Sequence, residues 1–417
     1  MNEPTLAVIA LLVLGWAVVS SRLARANING PLVFLVVGYA LGNPDWGALT
    51  ISLETPSIHL LAELTLALLL FADASRINVA RLRHDVRLPA RLLAIGLPLS
   101  VLLGSLLAAW LLHDLSWALA GFVGATLAPT DASLSAQVIN DRRVPMRMRR
   151  LLNVESGLND GIATPIVVFT LAVAASQLGI PGHADRPEGR ALVELAIGVG
   201  IGVALGWGSA VLMAFGTRRE WIVTGGHRLA TLATALSSFT VAVAIDGNGF
   251  VAAFIAGIAF SAATDDTLVD VEAASELPEL LGEVLALAVW FLFGAVLLPA
   301  AFAHIDVALV VYAVLSLTLV RLVPVALALL GSGLDVRTVL FVGWFGPRGL
   351  ASVVFLLLAV EELGETPVVE PVLAAITFTV LMSVVLHGVS AGPLVSRYAV
   401  SEAATDAGPR SRRGAHE

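Results

Sequence analysis

An all-helical protein that crosses a lipid bilayer about thirteen times is the fold class this sequence predicts, and three observations carry it. Of its 417 residues, 58% are hydrophobic and only 13% charged, with a mean hydropathy of +0.89. Soluble domains carry about 25% charged residues. Apolar runs approaching the roughly 20 residues of a transmembrane helix recur along the whole chain, separated by arginine-rich or Gly/Pro breaks. The fifth and twelfth runs are themselves interrupted, by Pro129 and by Gly346-Pro347-Arg348-Gly349. Proline and glycine in mid-span free backbone groups that only protein or water can satisfy at that depth.

Taken in order, the runs fall near 5–21, 31–45, 57–74, 89–112, 116–139, 151–178, 191–215, 228–246, 249–263, 277–299, 305–329, 338–360 and 368–397. The second and ninth are short for a full crossing. Spans one to six (residues 1–180) and eight to thirteen (226–400) form two inverted six-helix repeats, joined by a linking helix over 190–217. Together they make a transmembrane transporter domain over 1–400, with broken, crossing fifth and twelfth helices in corresponding places. Such paired breaks are the best sequence pointer to a midplane transport site. Residues 401–417 are expected to be a short disordered cytoplasmic tail. No basic segment precedes the first apolar run and no small-residue cleavage site follows it, so no removed signal peptide is expected. With no cysteine in the chain, disulfides and thiolate metal sites are excluded. Nothing resembles a nucleic-acid module, and no cofactor is implied.

Lysine is absent, and all 24 basic residues are arginine. With the N-terminus outside and the C-terminus in the cytoplasm, loops and tail on the inner side hold Arg22, Arg25, Arg76, Arg81, Arg83, Arg87, Arg91, Arg142, Arg143, Arg147, Arg149 and Arg150. Arg218, Arg219, Arg228, Arg337, Arg397, Arg410, Arg412 and Arg413 join them. Only Arg186 and Arg190 fall outside, and Arg321 and Arg348 fall within spans. The positive-inside rule reads this split as orientation, in the plasma (inner) membrane. The acidic stretch 264–279 does not overturn it, because acidic residues contribute little to topology.

Charges at membrane depth mark the candidate site, since a buried charge costs roughly 2.5–3.5 kcal/mol on insertion scales. Counting along each helix at about 1.5 Å per residue puts Asp131, Asp160 and Arg348 all near mid-membrane. Positions four apart share a helix face. Glu155 with Asn159 forms one such pair, and Ser156 with Asp160 the next, rotated by about 100°. The first pair is expected to hold Arg348, the one basic residue at that depth, because an unpaired charge there would cost several kcal/mol. The second pair faces a cation. Asp73 lies close to the inner end of the third span. Glu63, Glu194 and Glu283 read as hydrogen-bonded or cavity-lining groups, and His59, His304 and His387 as interfacial or packed. Arg321 is left open between snorkelling and pairing with an acid.

The segments LAPTDASLSAQVI, NVESGLNDGIATP and WFGPRGLASVVF, with ALLLFADASRI in the third span, resemble the signatures of NhaP-type sodium/proton antiporters in the monovalent cation:proton antiporter-1 family. The resemblance implies a homodimer in which a six-helix core moves against a dimerisation domain. It implies that Asp131 and Asp160 bind Na⁺ and the proton in turn, aided by Thr130 and Ser156, with Asp73 by the ion path. It also implies that Glu155 and Asn159 are tied to Arg348, and that Asn159, before the second aspartate, goes with electroneutral exchange. Ala132 departs from the family, where many relatives have proline after the aspartate. That departure bears on local unwinding and leaves the carboxylate in place.

Independently of the resemblance, the site offers carboxylate, hydroxyl and carbonyl oxygens, which suit a hard cation. The activity expected is therefore secondary exchange of a monovalent cation, Na⁺ or alternatively K⁺, for protons, with no enzymatic step. Two other classes compete. An intramembrane aspartyl protease would use Asp131 and Asp160 as an acid/base pair, but the Gly-x-Gly-Asp pattern of that class is missing and a buried arginine has no use there. A cation channel would not need paired broken helices.

Overall fold

The apolar stretches fold as helices in a computed structural model that describes residues 3–26, 28–51, 56–77, 86–113, 115–180, 187–223, 225–265, 267–364 and 366–407. Helices α1 (Glu3–Arg25), α2 (Gly30–Gly42) and α3 (Pro56–Ser75) open the chain. Helix α4 (Arg87–Leu111) contains a π-helical turn over Leu92–Gly96. The fifth stretch is broken into α5 (Trp117–Thr126), a non-helical segment 127–135 and the single turn α6 (Ala136–Ile139). Helices α7 (Met146–Gln177), α8 (Pro187–Arg218), α9 (Gly226–Ala244) and α10 (Gly249–Ala263) follow. After the turn α11 (Val271–Ala274), α12 (Glu276–Phe302) carries a second π-helical turn at Phe293–Leu297. Helices α13 (Val307–Leu317) and α14 (Leu319–Ala328) are one apolar stretch jogged at Thr318. The twelfth stretch is broken into α15 (Val336–Trp344), residues 345–349 and α16 (Leu350–Leu363), and α17 (Glu370–Ala407) closes the chain.

Among the described residues there is no strand. Eight helices are long and apolar enough to cross a membrane, and α2, α5 and α10 are shorter apolar helices. Helix α17 runs on through Ala407, so the first part of the stretch expected to be a disordered tail is helical. The rest of that tail, with Arg410, Arg412 and Arg413, lies outside the described residues, as do Arg81, Arg83 and Arg186.

The polar residues that separate the apolar runs become helix caps. Asn29, Asn248, Asp306 and Asp335 each accept a hydrogen bond from the backbone N–H three residues on, at 3.0, 2.9, 2.7 and 3.1 Å. This satisfies donors that a helix start otherwise leaves unpaired. At the mouth of α15 the Thr338 hydroxyl and backbone N–H hold the Asp335 carboxyl below the usual carboxylate range. The interior is built from aromatic side chains, with Phe34, Phe71, Phe122, Phe260, Trp290 and Phe355 almost wholly buried. Helix α3 packs against α10, α12 and α16, while α5 packs against α4, α7 and α17. These contacts bring α3, α5, α7 and α16 around the two breaks. Helix α1 stands at the edge, with Leu6, Leu11, Leu14 and Val18 turned outward.

Replacing Asp306 by alanine should lower stability by about 1 kcal/mol, the usual contribution of an acidic cap. A thermal melt of the purified protein in detergent checks this. An unshifted midpoint would show that the cap bond to Leu309 contributes nothing.

Candidate functional site

The two breaks cross, and each meets the other through charged side chains. Helix α5 ends where Pro129 removes a backbone donor, leaving carbonyl groups exposed at membrane depth. Nη1 of Arg348, from the second break, donates to the carbonyl oxygens of Ala128 at 2.5 Å and Pro129 at 3.1 Å. The Ser352 hydroxyl donates to Thr126 O at 2.7 Å. A cation at the carbonyl end of a helix is favourable because the aligned peptide dipoles leave partial negative charge there.

Asp131 does the converse for α16. Its Oδ2 accepts from the backbone N–H of Leu350 at 2.9 Å, at the start of that helix, and its own N–H donates to Pro347 O at 2.8 Å. Oδ1 accepts from the Ser133 N–H at 2.7 Å and the Ser133 hydroxyl at 2.6 Å. Two glycines make room for this closeness. A Cβ on Gly349 would lie 1.9 Å from Asp131 Oδ2, and one on Gly346 would lie 2.4 Å from Arg321 Nε. At both places a side chain from another segment, the first break or α14, occupies the space a Cβ would fill. The carbonyl end of α15 is met by His387 of α17, whose Nε2 is 2.8 Å from Trp344 O, and Ser383 accepts from the Arg348 N–H at 2.7 Å.

The expected ion pair between Glu155 and Arg348 is not formed. Glu155 is held by Arg321 of α14 in a two-pronged contact, with Nη1 to Oε1 at 2.6 Å and Nη2 to Oε2 at 2.8 Å, and both side chains are buried. The planar guanidinium matches the carboxylate fork, which favours arginine for such pairs. Arg348 is fully buried and has no acidic partner within salt-bridge distance among the described residues, although the charge of Glu155 reaches it. Its Nε and Nη2 make no hydrogen bond. The reason for the exchange of partners is lateral. Depth along the helix favoured Arg348, but the jog at Thr318 brings Arg321 to Glu155 while Arg348 is taken by the α5 carbonyls.

Asn159 is likewise not tied to an arginine. Its Nδ2 donates to Thr130 Oγ1 at 2.6 Å, and Thr130 Oγ1 lies 3.0 Å from Ser156 Oγ. The three form a buried polar chain linking α7 to the first break, with Asn159 Oδ1 left without a partner. Pro129 and Pro347 both supply carbonyl oxygens to the crossing.

Asp160 stands apart from these bonded groups. It lies half-buried on α7, and among the described residues its carboxylate accepts no hydrogen bond. The charges of Asp131 and Asp73 both reach it. Asp73, also half-buried, packs beside Gly157 of α7, where a Cβ would be 3.6 Å from its own. Arg76, Glu279 and Glu283 surround the C-terminal end of α3 beside it, with Arg76 and Glu279 joined by a two-pronged ion pair. The structure therefore brings together Asp131, Asp160, Thr130, Ser156 and Asp73. It adds Ser133, Arg321, Ser383 and His387, which sequence reasoning missed or left open. A buried arginine in an otherwise apolar span was the available signal for Arg321. Nothing in the sequence marked the two serines.

A family model described as sodium/hydrogen exchanger, transmembrane, matches residues 8–397. Among curated relatives, a K⁺/H⁺ antiporter NhaP of Alkalimonas amylolytica is 26% identical over 415 residues, 98% of this chain and 69% of that protein. A K⁺/H⁺ antiporter NhaP2 of Shewanella oneidensis is 25% identical over 249 residues, 60% of this chain and 42% of the relative, so the match spans about two-fifths of that protein's length. A Na⁺/H⁺ antiporter of Schizosaccharomyces pombe is 25% identical over 300 residues, 66% of this chain and 63% of that protein. In fold, the chain matches the sodium proton antiporter MjNhaP1 from Methanocaldococcus jannaschii with a TM-score of 0.75. That likeness covers 95% of this chain and 98% of the other at 17% identity.

Removing either partner of the Glu155–Arg321 pair should cost about 3–5 kcal/mol, because it strands a buried charge. In a double-mutant cycle read by thermal melting, Glu155→Ala should couple strongly to Arg321→Ala and more weakly to Arg348→Ala. A larger coupling to Arg348 would overturn the assignment of partners.

Proposed function

Because the chain belongs to the sodium/hydrogen exchanger family, we propose that it is a secondary antiporter that exchanges a monovalent cation for protons at the crossing of its two broken helices. The observation that carries this reading is the contrast between its carboxylates. Asp131 is saturated with donors, whereas Asp160 accepts none among the described residues, so its charge is free for an exchangeable partner. In surroundings of low dielectric a bare carboxylate is costly, and the nearby charges of Asp131 and Asp73 make it costlier. A proton or a cation relieves that cost, and one excludes the other. Competition combined with alternating access couples the two flows.

In this reading Asp160 is the exchanging group. Asp131 holds the site open and contributes its field, Thr130 and Ser156 supply hydroxyl oxygens, and Asp73 lies on the path to the inner side. Glu155 with Arg321 locks α7 to α14, and Arg348 locks the crossing. Na⁺ is the proposed cation, in line with oxygen donors that suit a hard ion. The second reading, K⁺, is favoured by the K⁺/H⁺ antiporter of Alkalimonas amylolytica, whose alignment takes in 98% of this chain. One exchanging carboxylate beside a neutral Asn159 implies one-for-one, electroneutral exchange. The same proposal includes the two inverted repeats over 1–180 and 226–400, the linking helix 190–217 and a homodimer. It also places the protein in the plasma membrane with the N-terminus outside.

In proteoliposomes with an imposed pH gradient, Na⁺ should dissipate the gradient, and Asp160→Asn should abolish the response. Asp131→Asn should lower both activity and folded yield. Undiminished exchange in Asp160→Asn would sink the site, and a response to K⁺ but not Na⁺ would settle the cation in favour of the second reading. Clamping the voltage with valinomycin should leave the rate unchanged if exchange is electroneutral. Because the chain has no cysteine, single cysteines report orientation cleanly. One at Ser332 should react with a membrane-impermeant maleimide only from the cytoplasmic side, and one at Asp45 only from outside.

A further inference from the structure

Away from the crossing, an open groove of about 670 Å³ runs between α14, α15 and α17. Its volume falls within the roughly 300–1,000 Å³ of ligand sites. The walls are apolar, formed in part by Leu322, Leu340, Phe345 and Leu394, and two guanidinium groups, Arg337 and Arg397, stand at it. Both arginines are exposed. They lie at the arginine-rich end of the molecule, where Arg143 donates to the hydroxyl of Ser396 at 3.2 Å. The nearby acid, Asp335, caps α15, and its charge also reaches Arg337.

The groove is built rather than incidental. Phe341 stacks on Tyr398 with ring centroids 4.2 Å apart and an interplanar angle of 19°, and the Tyr398 hydroxyl lies 2.9 Å from that of Thr338. These contacts fasten α15 to α17 and fix one wall. The indole N–H of Trp344 donates to the hydroxyl of Ser390 at 2.9 Å, and Trp344 also lines the groove. An apolar trough with a cationic mouth, in a protein surrounded by bilayer, is complementary to an amphiphile with a negatively charged head.

We propose that this groove binds one anionic diacyl phospholipid, its phosphate held by Arg337 and Arg397 and an acyl chain lying between α14, α15 and α17. Two guanidiniums favour a phosphate headgroup of net negative charge over a zwitterionic one, whose own cation offsets its phosphate. Basic pockets between transmembrane helices are a recurring means of selecting acidic lipids. The occupant would rest on α15, one half of the second broken helix, and so brace the arm that carries Arg348 toward the crossing. The inference depends on the protein lying in a bilayer and not on which ion it exchanges.

The test uses the full chain in mixed detergent micelles containing phosphatidylglycerol or phosphatidylcholine of identical acyl composition. Native mass spectrometry should show retention of phosphatidylglycerol, roughly 5- to 30-fold preferred, the scale of two arginines acting on an acidic headgroup. Arg337→Gln combined with Arg397→Gln should remove that preference in the folded fraction. Equal retention of the two lipids by the unaltered protein, or an unchanged preference in the double variant, overturns the proposal. Excess inorganic phosphate should not displace the lipid; displacement would assign the site to a free anion and overturn it as well. Should the double variant fail to fold, phosphatidylglycerol with a photoreactive acyl chain decides on the unaltered protein. Cross-links must fall in peptides of α15 and α17, and cross-links confined to other helices reject the groove.

Discussion

Three helix ends meet near the centre of this protein, and the way they are satisfied governs the rest of the structure. A helix that stops at membrane depth leaves backbone groups that cost several kcal/mol each if nothing answers them. Here each break answers the other. Arg348 rises from the second break to the carbonyl end of α5, while Asp131 descends from the first break to the N–H end of α16. The bond between Asp131 N–H and Pro347 O ties the two segments directly. The remaining carbonyl end, at Trp344, is taken by His387. With the ends closed in this way, α5, α7 and α16 are fixed relative to one another, and a single carboxylate on α7 is left uncommitted.

This arrangement separates two aspartates that look equivalent in the chain. Both are expected from sequence at the same depth, in polar clusters of similar composition. Asp131 is bound by backbone and serine donors, and its charge is absorbed by the helix it caps. Asp160 has the same side chain without those donors. A substitution at the first therefore disturbs the helix end and serines it binds, whereas one at the second leaves those bonds in place. The polar chain from Asn159 through Thr130 to Ser156 ties α7, which carries Asp160, to the break that carries Asp131.

Much of this was legible in the sequence, because hydrophobic runs, arginine placement and Pro/Gly breaks are one-dimensional signals of a one-dimensional constraint, the thickness of the bilayer. Helices cover the predicted stretches, and both breaks fall where Pro129 and Gly346-Pro347 put them. Lateral contacts were less legible. Helical spacing put Glu155 and Asn159 on one face and implied one shared partner, yet Glu155 reaches Arg321 on α14 and Asn159 reaches Thr130. Depth counting located Arg348 correctly but could not show that a helix end, not an acid, would claim it. That choice is fixed by the jog at Thr318 and by how α14 lies on the π-helical turn of α4, neither of which leaves a periodic trace.

The two cations at the crossing are both arginines, and a guanidinium keeps its proton throughout the physiological range. The frame around Asp160 rests on these two cations together with the carboxylates of Asp131 and Glu155 and the imidazole of His387. A lysine in either position would keep a cation but lose the planar fork that serves two acceptors at once. With arginine, changes in proton activity are felt by carboxylates and imidazoles alone.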